Sequence, residues 1–186
     1  MIYIDDHLQQ LDTDHAMTLL SDQRREYAMR YRFDLGRRTC IAAYLLLCRA
    51  LNEEYGITGK PVFAFSEHGK PSIIGHEDIH FNFSHCSEAA ICAVSTKPIG
   101  VDIETPRHPK PAFIDYTMNG SEVERIRKAH DPSMLFTQLW TMKEALVKLT
   151  ADGITNNLRD VLCRDDVAFS TIVTPRYIYT ICQYKN

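Results

Sequence analysis

The sequence predicts an α+β fold of two similar lobes in a pseudo-twofold arrangement, each with a small antiparallel sheet and a packed long helix. Three observations lead to this prediction. Apolar residues recur at helical spacing in some segments and at alternate positions in others. Each half of the chain runs from helices to strands, and a stretch with three prolines, 105–111, separates the halves. We therefore predict an N-terminal lobe over 1–104 and a C-terminal lobe over 105–186.

The first half of the chain alternates between helical and extended segments. Ser21 is a suitable N-cap for the first helix. The turn at 67–71 contains both glycine and proline, and the short turn 86–88 favours antiparallel pairing of its neighbours. In chain order, we predict a strand over 2–5, helices over 19–32 and 37–51, and strands over 62–65, 80–84, 89–95 and 99–104.

The second half begins with the proline-containing stretch 105–111, which we predict to be a linker or exposed loop. Helices over 121–130 and 133–150 and a closing hairpin of 167–173 with 177–184 follow. The longer helix carries an apolar stripe, which is predicted to be buried and consists of Leu135, Leu139, Met142, Leu146 and Leu149. A polar row is predicted on its opposite side: Thr137, Thr141, Glu144 and Lys148.

Composition indicates an ordinary globular protein of one domain or two small ones. Of the 186 residues, 45% are hydrophobic and 24% charged, and the net charge of −3 provides no field that would attract nucleic acid or an anionic membrane. The N-terminus lacks signal-peptide features, and the longest apolar run, 40–48, is too short to span a bilayer. The six cysteines include no Cys-x-x-Cys pair, so we expect reduced thiols in a cytoplasmic protein, with a disulfide framework as the alternative.

Two segments, 99–104 and 140–148, carry the most chemical information. Asp102 and Glu104 lie two positions apart in a strand, so their side chains share a face and could both reach one ion. Glu144 and Lys148 form an i,i+4 pair on the long helix. Taken separately, the first pair fits a solvated strand face and the second a weak surface ion pair. Neither interpretation explains why Trp140, the only tryptophan, begins the second segment.

The chain resembles the 4′-phosphopantetheinyl transferase superfamily, most of all its two-lobed surfactin-synthetase-activating type. The two motifs that carry the resemblance are Gly100-Val101-Asp102-x-Glu104 and Trp140-Thr141-x-Lys143-Glu144-Ala145-x-x-Lys148. Further matches, in order, are Arg38-Thr39, Gly69-Lys70-Pro71, His80-Phe81-Asn82-Phe83-Ser84-His85 and Pro98-Ile99-Gly100. The resemblance covers roughly residues 20–155, and 177–182 fits the last strand.

This resemblance implies transfer of the phosphopantetheine arm of coenzyme A to a serine of an apo acyl or peptidyl carrier protein, with 3′,5′-ADP as the other product. It implies Mg²⁺, a cation that oxygen ligands and retained waters suit. Asp102, Glu104 and Glu144 would hold the ion directly or through water. Glu144 is also the candidate general base, and Lys148 would stabilise or protonate the leaving phosphate. The division of ligand and base roles among the carboxylates stays open.

Coenzyme A carries a 3′-phosphate, for which cationic contacts are expected. By the resemblance, Arg38, Lys70 and His85 would supply them, with Ser84 as a hydroxyl contact. Two further candidates lie in the basic first helix, Arg24 and Arg30, and a solvated helix face is the alternative interpretation for both.

The resemblance also implies a docking surface for the carrier protein. The segment 116–122 departs from the family pattern, with Tyr116 in place of phenylalanine and the glutamate later in the chain. We expect a loop and helix from about 107 to 127 to form part of this surface. Because one chain with two lobes can build a site that smaller relatives form between subunits, a monomer is expected.

Parts of the sequence also match other functions. His76-Glu77-Asp78-Ile79-His80 matches the His-Glu-x-x-His zinc pattern, but a glycine and a strand flank it too closely for a helix. Ser84 and His85 resemble a nucleophile and its base, yet adjacent strand residues point to opposite faces. A non-catalytic module that binds coenzyme A or the carrier need not keep all four charged residues of the two motifs.

Overall fold

The computed structural model describes residues 1–151 and 158–185, so 152–155 of the stretch that carries the resemblance lie outside the described residues. The described part contains six α-helices and eight strands. The helices are α1 (Thr13–Leu19), α2 (Asp22–Met29), α3 (Asp34–Tyr55), α4 (Pro111–Thr117), α5 (Gly120–Lys128) and α6 (Pro132–Thr150). The strands are β1 (Ile2–Asp5), β2 (Phe63–Phe65), β3 (Pro71–Ile73), β4 (His80–His85), β5 (Ala90–Ser95), β6 (Ile99–Glu104), β7 (Val167–Val173) and β8 (Ile178–Tyr184). Two short 3-10 helices cover Leu8–Gln10 and Leu158–Asp160.

The strands form three small antiparallel sheets. One has the order β1-β5-β4 and packs against α3, another has the order β6-β8-β7 and packs against α6, and the third pairs β2 with β3. The predicted α+β class with small antiparallel sheets is therefore confirmed. The pseudo-twofold relation and the division at residue 105 stay predictions. Strand β6 ends before residue 105 and pairs with β8 in one sheet, while it also contacts β4 and β5 of the other.

Local signals in the sequence explain where the main helices begin and end. The Ser21 hydroxyl accepts from the Arg24 amide, as predicted for the N-cap of α2. Gly56, with φ of +69°, ends α3 in the left-handed conformation. The Asp131 carboxylate caps α6 by accepting from the Met134 amide, and Pro132 takes an early position where its missing N–H costs no helical hydrogen bond.

Two elements were not predicted, α1 and α4, and β3 was expected only by the resemblance, as a strand that follows Gly69-Lys70-Pro71. Helix α1 has only seven residues, of which Ala16 alone is buried, so its apolar pattern is weak. Strand β3 begins with Pro71, a position that strands tolerate. The prediction of a loop or linker through residue 111 was wrong at its end, because Pro111 starts α4 instead of breaking it.

Helix α6 differs from the predicted two-sided pattern. Leu135 and Met142 of the apolar stripe are only partly buried, whereas Thr137 and Thr141 of the polar row are fully buried. The reason is that α6 packs against β6 and β8 on one side and against α5 on another. The Thr141 hydroxyl lies 2.8 Å from that of Thr180 in β8, which satisfies both inside the interface.

A buried ion pair fixes α6 to its neighbours. The Lys143 ammonium is fully buried and lies 2.9 Å from the Glu122 carboxylate, which caps α5. It also donates to the carbonyl oxygens of Leu158 and Arg159 at 2.8 and 2.9 Å. Burial lowers the pKa of Lys143, while Glu122 opposes that shift. The pair fixes the rotation of α6 immediately before Glu144.

Two further expectations concern the state of the cysteines and the possibility of a membrane-spanning helix. All six cysteines are free thiols, as predicted. Within 1–151 and 158–185, no helix combines the length and apolarity needed to cross a membrane.

Candidate active site

Gly100 sets how closely β6 approaches α6. A Cβ at this position would collide with the carbonyl oxygen of Ala145 and would lie 2.7 Å from the amide nitrogen of Leu149. Only glycine therefore permits the observed contact. Two residues later, Asp102 is brought opposite Lys148, which lies one helical turn beyond Glu144.

Asp102 is the centre of a compact polar cluster. Its Oδ1 atom accepts from the Lys148 ammonium at 2.7 Å and from the Ser84 hydroxyl at 2.8 Å. Lys148 also donates to the Ser84 oxygen at 2.9 Å. Asp102 is only 4% exposed, so this ion pair is screened little by water. The fully buried Oδ2 atom has no hydrogen-bond partner among the described residues.

Glu104 lies on the same face of β6 as Asp102, as predicted. Its Oε1 atom accepts from the Trp140 indole N–H at 3.2 Å, and the Arg107 guanidinium lies 4.0 Å away. Burial raises the pKa of Glu104, and the Asp102 carboxylate raises it further. Arg107, Trp140 and Lys148 oppose that rise.

Glu144 completes the set of carboxylates. Burial is the largest cause of its raised pKa, and Asp102 is the next. Glu104 adds to the shift, while Lys148 opposes it. Three carboxylates thus repel one another in a partly desolvated place, an arrangement typical of functional sites.

The three carboxylates, Ser84 and Lys148 open into one cavity of about 320 Å³, which we call the carboxylate cavity. Its lining consists of Arg24, Tyr27, Tyr31, Phe83, Ser84, His85, Asp102, Glu104, Glu144 and Lys148. Seven of these ten residues were predicted site residues, and they come from α2, β4, β6 and α6.

Arg24 supplies the cation on the wall opposite the carboxylates. The residue is 7% exposed, and its guanidinium lies 4.8 Å from the Tyr27 ring centroid and 5.1 Å from that of Phe83. It donates to the Cys40 carbonyl oxygen at 3.0 Å, but its buried Nε atom has no hydrogen-bond partner in 1–151 and 158–185. No carboxylate of the described residues forms an ion pair with it. A buried guanidinium with spare donors suits an anionic ligand.

His85 lies beside the same cluster, but it does not provide a positive charge at neutral pH. Burial, together with Lys148 and Arg24, lowers its pKa to about 4. The expectation of a cationic contact at His85 is corrected in this respect: the neutral imidazole can still donate one hydrogen bond to a phosphate.

Two further cavities adjoin the carboxylate cavity, and Phe83 lines all three. One of about 340 Å³ contains Lys70 together with Glu144 and Lys148. The Lys70 ammonium donates to the Leu149 carbonyl oxygen at 2.8 Å, and burial lowers its pKa. The other, of about 450 Å³, has aromatic walls and contains Arg24 and Arg30.

Arg38 is the one predicted contact that lies elsewhere. Its guanidinium donates to the carbonyl oxygens of Leu8, Gln9 and Leu11 and pairs with Asp34 at 2.9 Å. It lines none of the three cavities. The physical reason is that the short helix Leu8–Gln10 and the residue after it turn carbonyl oxygens toward α3, and Arg38 donates to them.

The two competing motifs lack the geometry that their chemistry needs. Residues 76–79 form a turn before β4, so His76 and His80 do not share a helical face. Ser84 and His85 both line the carboxylate cavity, although adjacent strand positions had been expected to separate them. The Ser84 hydroxyl nevertheless bonds to Asp102 and Lys148, and no bond joins it to His85 within the described residues.

Several residues that shape this site were not predicted from the sequence. Tyr27 and Tyr31 belong to no motif, and only the fold brings them to the cavity. Arg107 also belongs to no motif and lies beside the cavity, 4.0 Å from Glu104. Phe83 stands within a matched motif that gave it no role. The sequence assigned no role to Trp140. In the structure its indole N–H holds the Glu104 carboxylate.

The residues of the carboxylate cavity fit a hard divalent cation held partly through water. In the described ranges, no group of three or more His, Cys, Asp or Glu side chains is arranged to surround an ion by itself. Mg²⁺, however, usually takes one or two carboxylates and keeps several waters. Such a cation would provide a partner for the buried Oδ2 atom of Asp102, which has none among the described residues. It would also lower the raised pKa values of Glu104 and Glu144.

Comparisons with known proteins identify the family of the chain. The family model described as the 4′-phosphopantetheinyl transferase superfamily matches residues 98–182. A 4′-phosphopantetheinyl transferase of Bacillus subtilis is 31% identical over 159 residues, covering 82% of this chain and 70% of the relative. The psf-1 transferase of Bacillus pumilus is 27% identical over 164 residues, with 87% and 70% covered. HetI of Nostoc is 33% identical over 150 residues, with 76% and 63% covered. The chain therefore belongs to the 4′-phosphopantetheinyl transferase superfamily.

Proposed function

We propose that this chain transfers the 4′-phosphopantetheine arm of coenzyme A to a serine hydroxyl of an apo carrier protein, with Mg²⁺ and with release of 3′,5′-ADP. The observation that carries the proposal is the carboxylate cavity, in which three carboxylates and Lys148 face a buried arginine. Relatives named 4′-phosphopantetheinyl transferase support the same reaction.

Glu144 is proposed as the general base. Its raised pKa makes the carboxylate a better proton acceptor near neutral pH. It takes the proton of the serine hydroxyl, directly or through water, while the serine oxygen bonds to the phosphorus that carries the pantetheine arm. The bond from that phosphorus to the 3′,5′-ADP oxygen breaks. Lys148 stabilises or protonates this leaving oxygen.

Asp102, Glu104 and Glu144 would hold Mg²⁺, directly or through water. When bound, the ion supplies positive charge against the pyrophosphate and helps to align the displacement. Asp102 also holds Lys148 through their 2.7 Å ion pair, so it would position this lysine as well as hold the ion. If Glu144 is chiefly a ligand, Asp102 is the remaining candidate for the base.

Coenzyme A is proposed to lie across the three joined cavities. Arg24 and the neutral His85 would contact its phosphates, with Ser84 as a hydroxyl contact. Lys70 and Arg30 would act at the neighbouring cavities. Arg38 is not carried into this proposal, because its donors serve carbonyl oxygens and Asp34.

The carrier protein is proposed to dock on the surface formed by 107–127. Tyr116, in α4, is 63% exposed there and offers an apolar contact. We further propose a monomer that works in the cytoplasm on coenzyme A and a carrier, without nucleic acid or membrane as partners. The net charge of −3 and the free thiols support this.

One assay tests the reaction. The protein is incubated with an apo carrier protein, coenzyme A and Mg²⁺, and the carrier is weighed by mass spectrometry. We expect the carrier to gain one phosphopantetheine arm, and we expect a chelator to abolish the gain. Glu144→Gln should slow transfer by at least about 100-fold, since a positioned base contributes about that much.

Glu53→Gln is the matched control, because Glu53 is half-exposed on α3 and pairs with Arg49 far from the cavity. It should transfer at the wild-type rate. Absence of transfer to several different carriers, with coenzyme A still bound, would favour the non-catalytic module instead. Hydrolysis that depends on zinc and on His76 would favour the metallohydrolase.

A further inference from the structure

The segment 105–110 joins β6 to α4. Polar contacts hold it to the β4–β5 turn and to α6. At one end, the Thr105 hydroxyl lies 2.9 Å from that of Ser87 in the β4–β5 turn. In the middle, the Arg107 amide donates to the Thr137 hydroxyl of α6 at 3.3 Å. The His108 ring then contacts the Ser133 hydroxyl, also in α6. These contacts fix the backbone that presents Arg107.

The Arg107 side chain lies over an aromatic cluster. Its guanidinium is 5.7 Å from the ring centroid of Trp140 and 5.7 Å from that of Phe113. The Trp140 ring is only 9% exposed and packs against Phe113 and, stacked, against Phe136. A cation over a desolvated indole is attractive, and the packing leaves the indole one orientation.

That orientation directs the indole N–H at Glu104. Trp140 donates to Oε1 at 3.2 Å, and Arg107 lies 4.0 Å from the same oxygen. Both contacts therefore hold one oxygen of the carboxylate. The other oxygen, Oε2, has no hydrogen bond among the described residues and is therefore available to a ligand in the carboxylate cavity. A carboxylate held by one oxygen offers the second in a fixed direction.

We propose that Arg107 is a positioning residue, which acts with Trp140 to hold Glu104 so that its Oε2 atom faces the carboxylate cavity. The proposal rests on the proposed function, since the orientation matters for a cation shared with Asp102 and Glu144. Arg107 itself is about half exposed on its outer side and does not line the cavity.

The experiment compares Arg107→Ala and Arg107→Lys with the wild type by two measurements that need no turnover, and Trp140→Phe, which lacks the fluorophore, by the first of them alone. Calorimetry gives the Mg²⁺ dissociation constant, and fluorescence reports on Trp140, the only tryptophan of the chain. We expect Arg107→Ala to weaken Mg²⁺ binding about ten-fold, the usual effect of removing a partner of a ligand. Its tryptophan emission should shift, while its circular dichroism stays unchanged.

The other variants separate positioning from general stability. Arg107→Lys keeps a cation over the indole and should recover part of the affinity. Trp140→Phe keeps a ring but lacks the N–H donor, so it should weaken Mg²⁺ binding in the same way. The matched control is Arg49→Ala, which removes an arginine that pairs with Glu53 and lies 5.6 Å from the Tyr3 ring centroid, away from the cavity. It should bind Mg²⁺ like the wild type.

The outcomes are distinguishable. Wild-type affinity in Arg107→Ala, with unchanged emission, overturns the proposal and leaves the proposed function standing. A wild-type protein that binds no Mg²⁺ overturns the metal part of the proposed function and this proposal with it. Should Arg107→Ala fail to fold, Trp140→Phe decides, and wild-type affinity there overturns the proposal.

Discussion

The two walls of the carboxylate cavity are built in different ways. On one wall, β6 and α6 meet through Gly100, and each functional side chain is positioned by the repeat of a regular element. On the other, Arg24 reaches the cavity between aromatic rings that come from α2 and β4. The acidic wall is therefore fixed by backbone geometry, and the basic wall by side-chain packing. One methyl group added at Gly100 should damage the first wall, while the second should respond to loss of single side chains.

The largest effect is expected from Gly100→Ala. The added methyl group cannot be accommodated, because it meets backbone atoms of α6 that cannot rotate away. We expect the free energy of unfolding to fall by about 3 kcal/mol, the upper end for overpacking. Urea unfolding followed by circular dichroism measures this.

Gly59→Ala is the control for that substitution, since a Cβ at Gly59 would meet nothing within 4 Å. It should be nearly neutral. If Gly100→Ala were equally neutral, the strand and helix would have to separate easily, and the contrast between the two walls would disappear.

A smaller effect, on binding, should distinguish Arg24 from Arg38. Arg24→Ala removes a buried cation that has spare donors, so KM for coenzyme A should rise at least about ten-fold, as expected for hydrogen bonds to a charged group. Arg38→Ala should leave KM nearly unchanged and instead lower the thermal midpoint, because three carbonyl oxygens and Asp34 each lose a donor. Steady-state kinetics at saturating carrier, with thermal scans, tests both. The reverse result would restore Arg38 to the phosphate site.

The last effect concerns His85 and acid, and it is absent near neutral pH. The unfolded chain protonates this histidine near its ordinary pKa of 6.5, whereas the folded chain does so only at about 4. The unfolded state thus binds more protons in this window, so the free energy of unfolding falls as pH drops from 6.5 to 4. His85→Asn should flatten that decline in urea unfolding measured across the window.

His130→Asn, an exposed histidine just beyond α5, is the comparison for this test. It should keep the wild-type slope. An unchanged slope in His85→Asn would mean that His85 is solvated, and the basic wall would then be more open than its packing indicates.

The acidic wall was largely predictable because its signals are local. The Asp102-x-Glu104 spacing fixes one face of a strand, and that strand was predicted with its observed limits. The same holds for Glu144 and Lys148, four positions apart on α6. The mutual approach of the two pairs was predicted only by resemblance to a family, since nothing in either segment encodes its distance from the other.

The basic wall and the burial of α6 were less predictable because they depend on contacts between distant segments. Arg38 matched a motif, yet carbonyl oxygens some thirty residues earlier in sequence take its donors. Thr141 was expected on a solvated face, but β8, about forty positions later, covers it. The sequence allowed two interpretations of Arg24, a solvated helix face and a phosphate contact. Its burial results from the aromatic rings around it.

The cluster of Ser84, Asp102 and Lys148 joins residues from both sides of the 105–110 segment, with sequence separations of 18, 46 and 64. Neither half of a chain divided in that segment would contain the complete cluster. Two such fragments could regain it only if β6 packs again against α6, which carries Lys148, and pairs with β8, so the restored cluster would report that the fragments have rejoined.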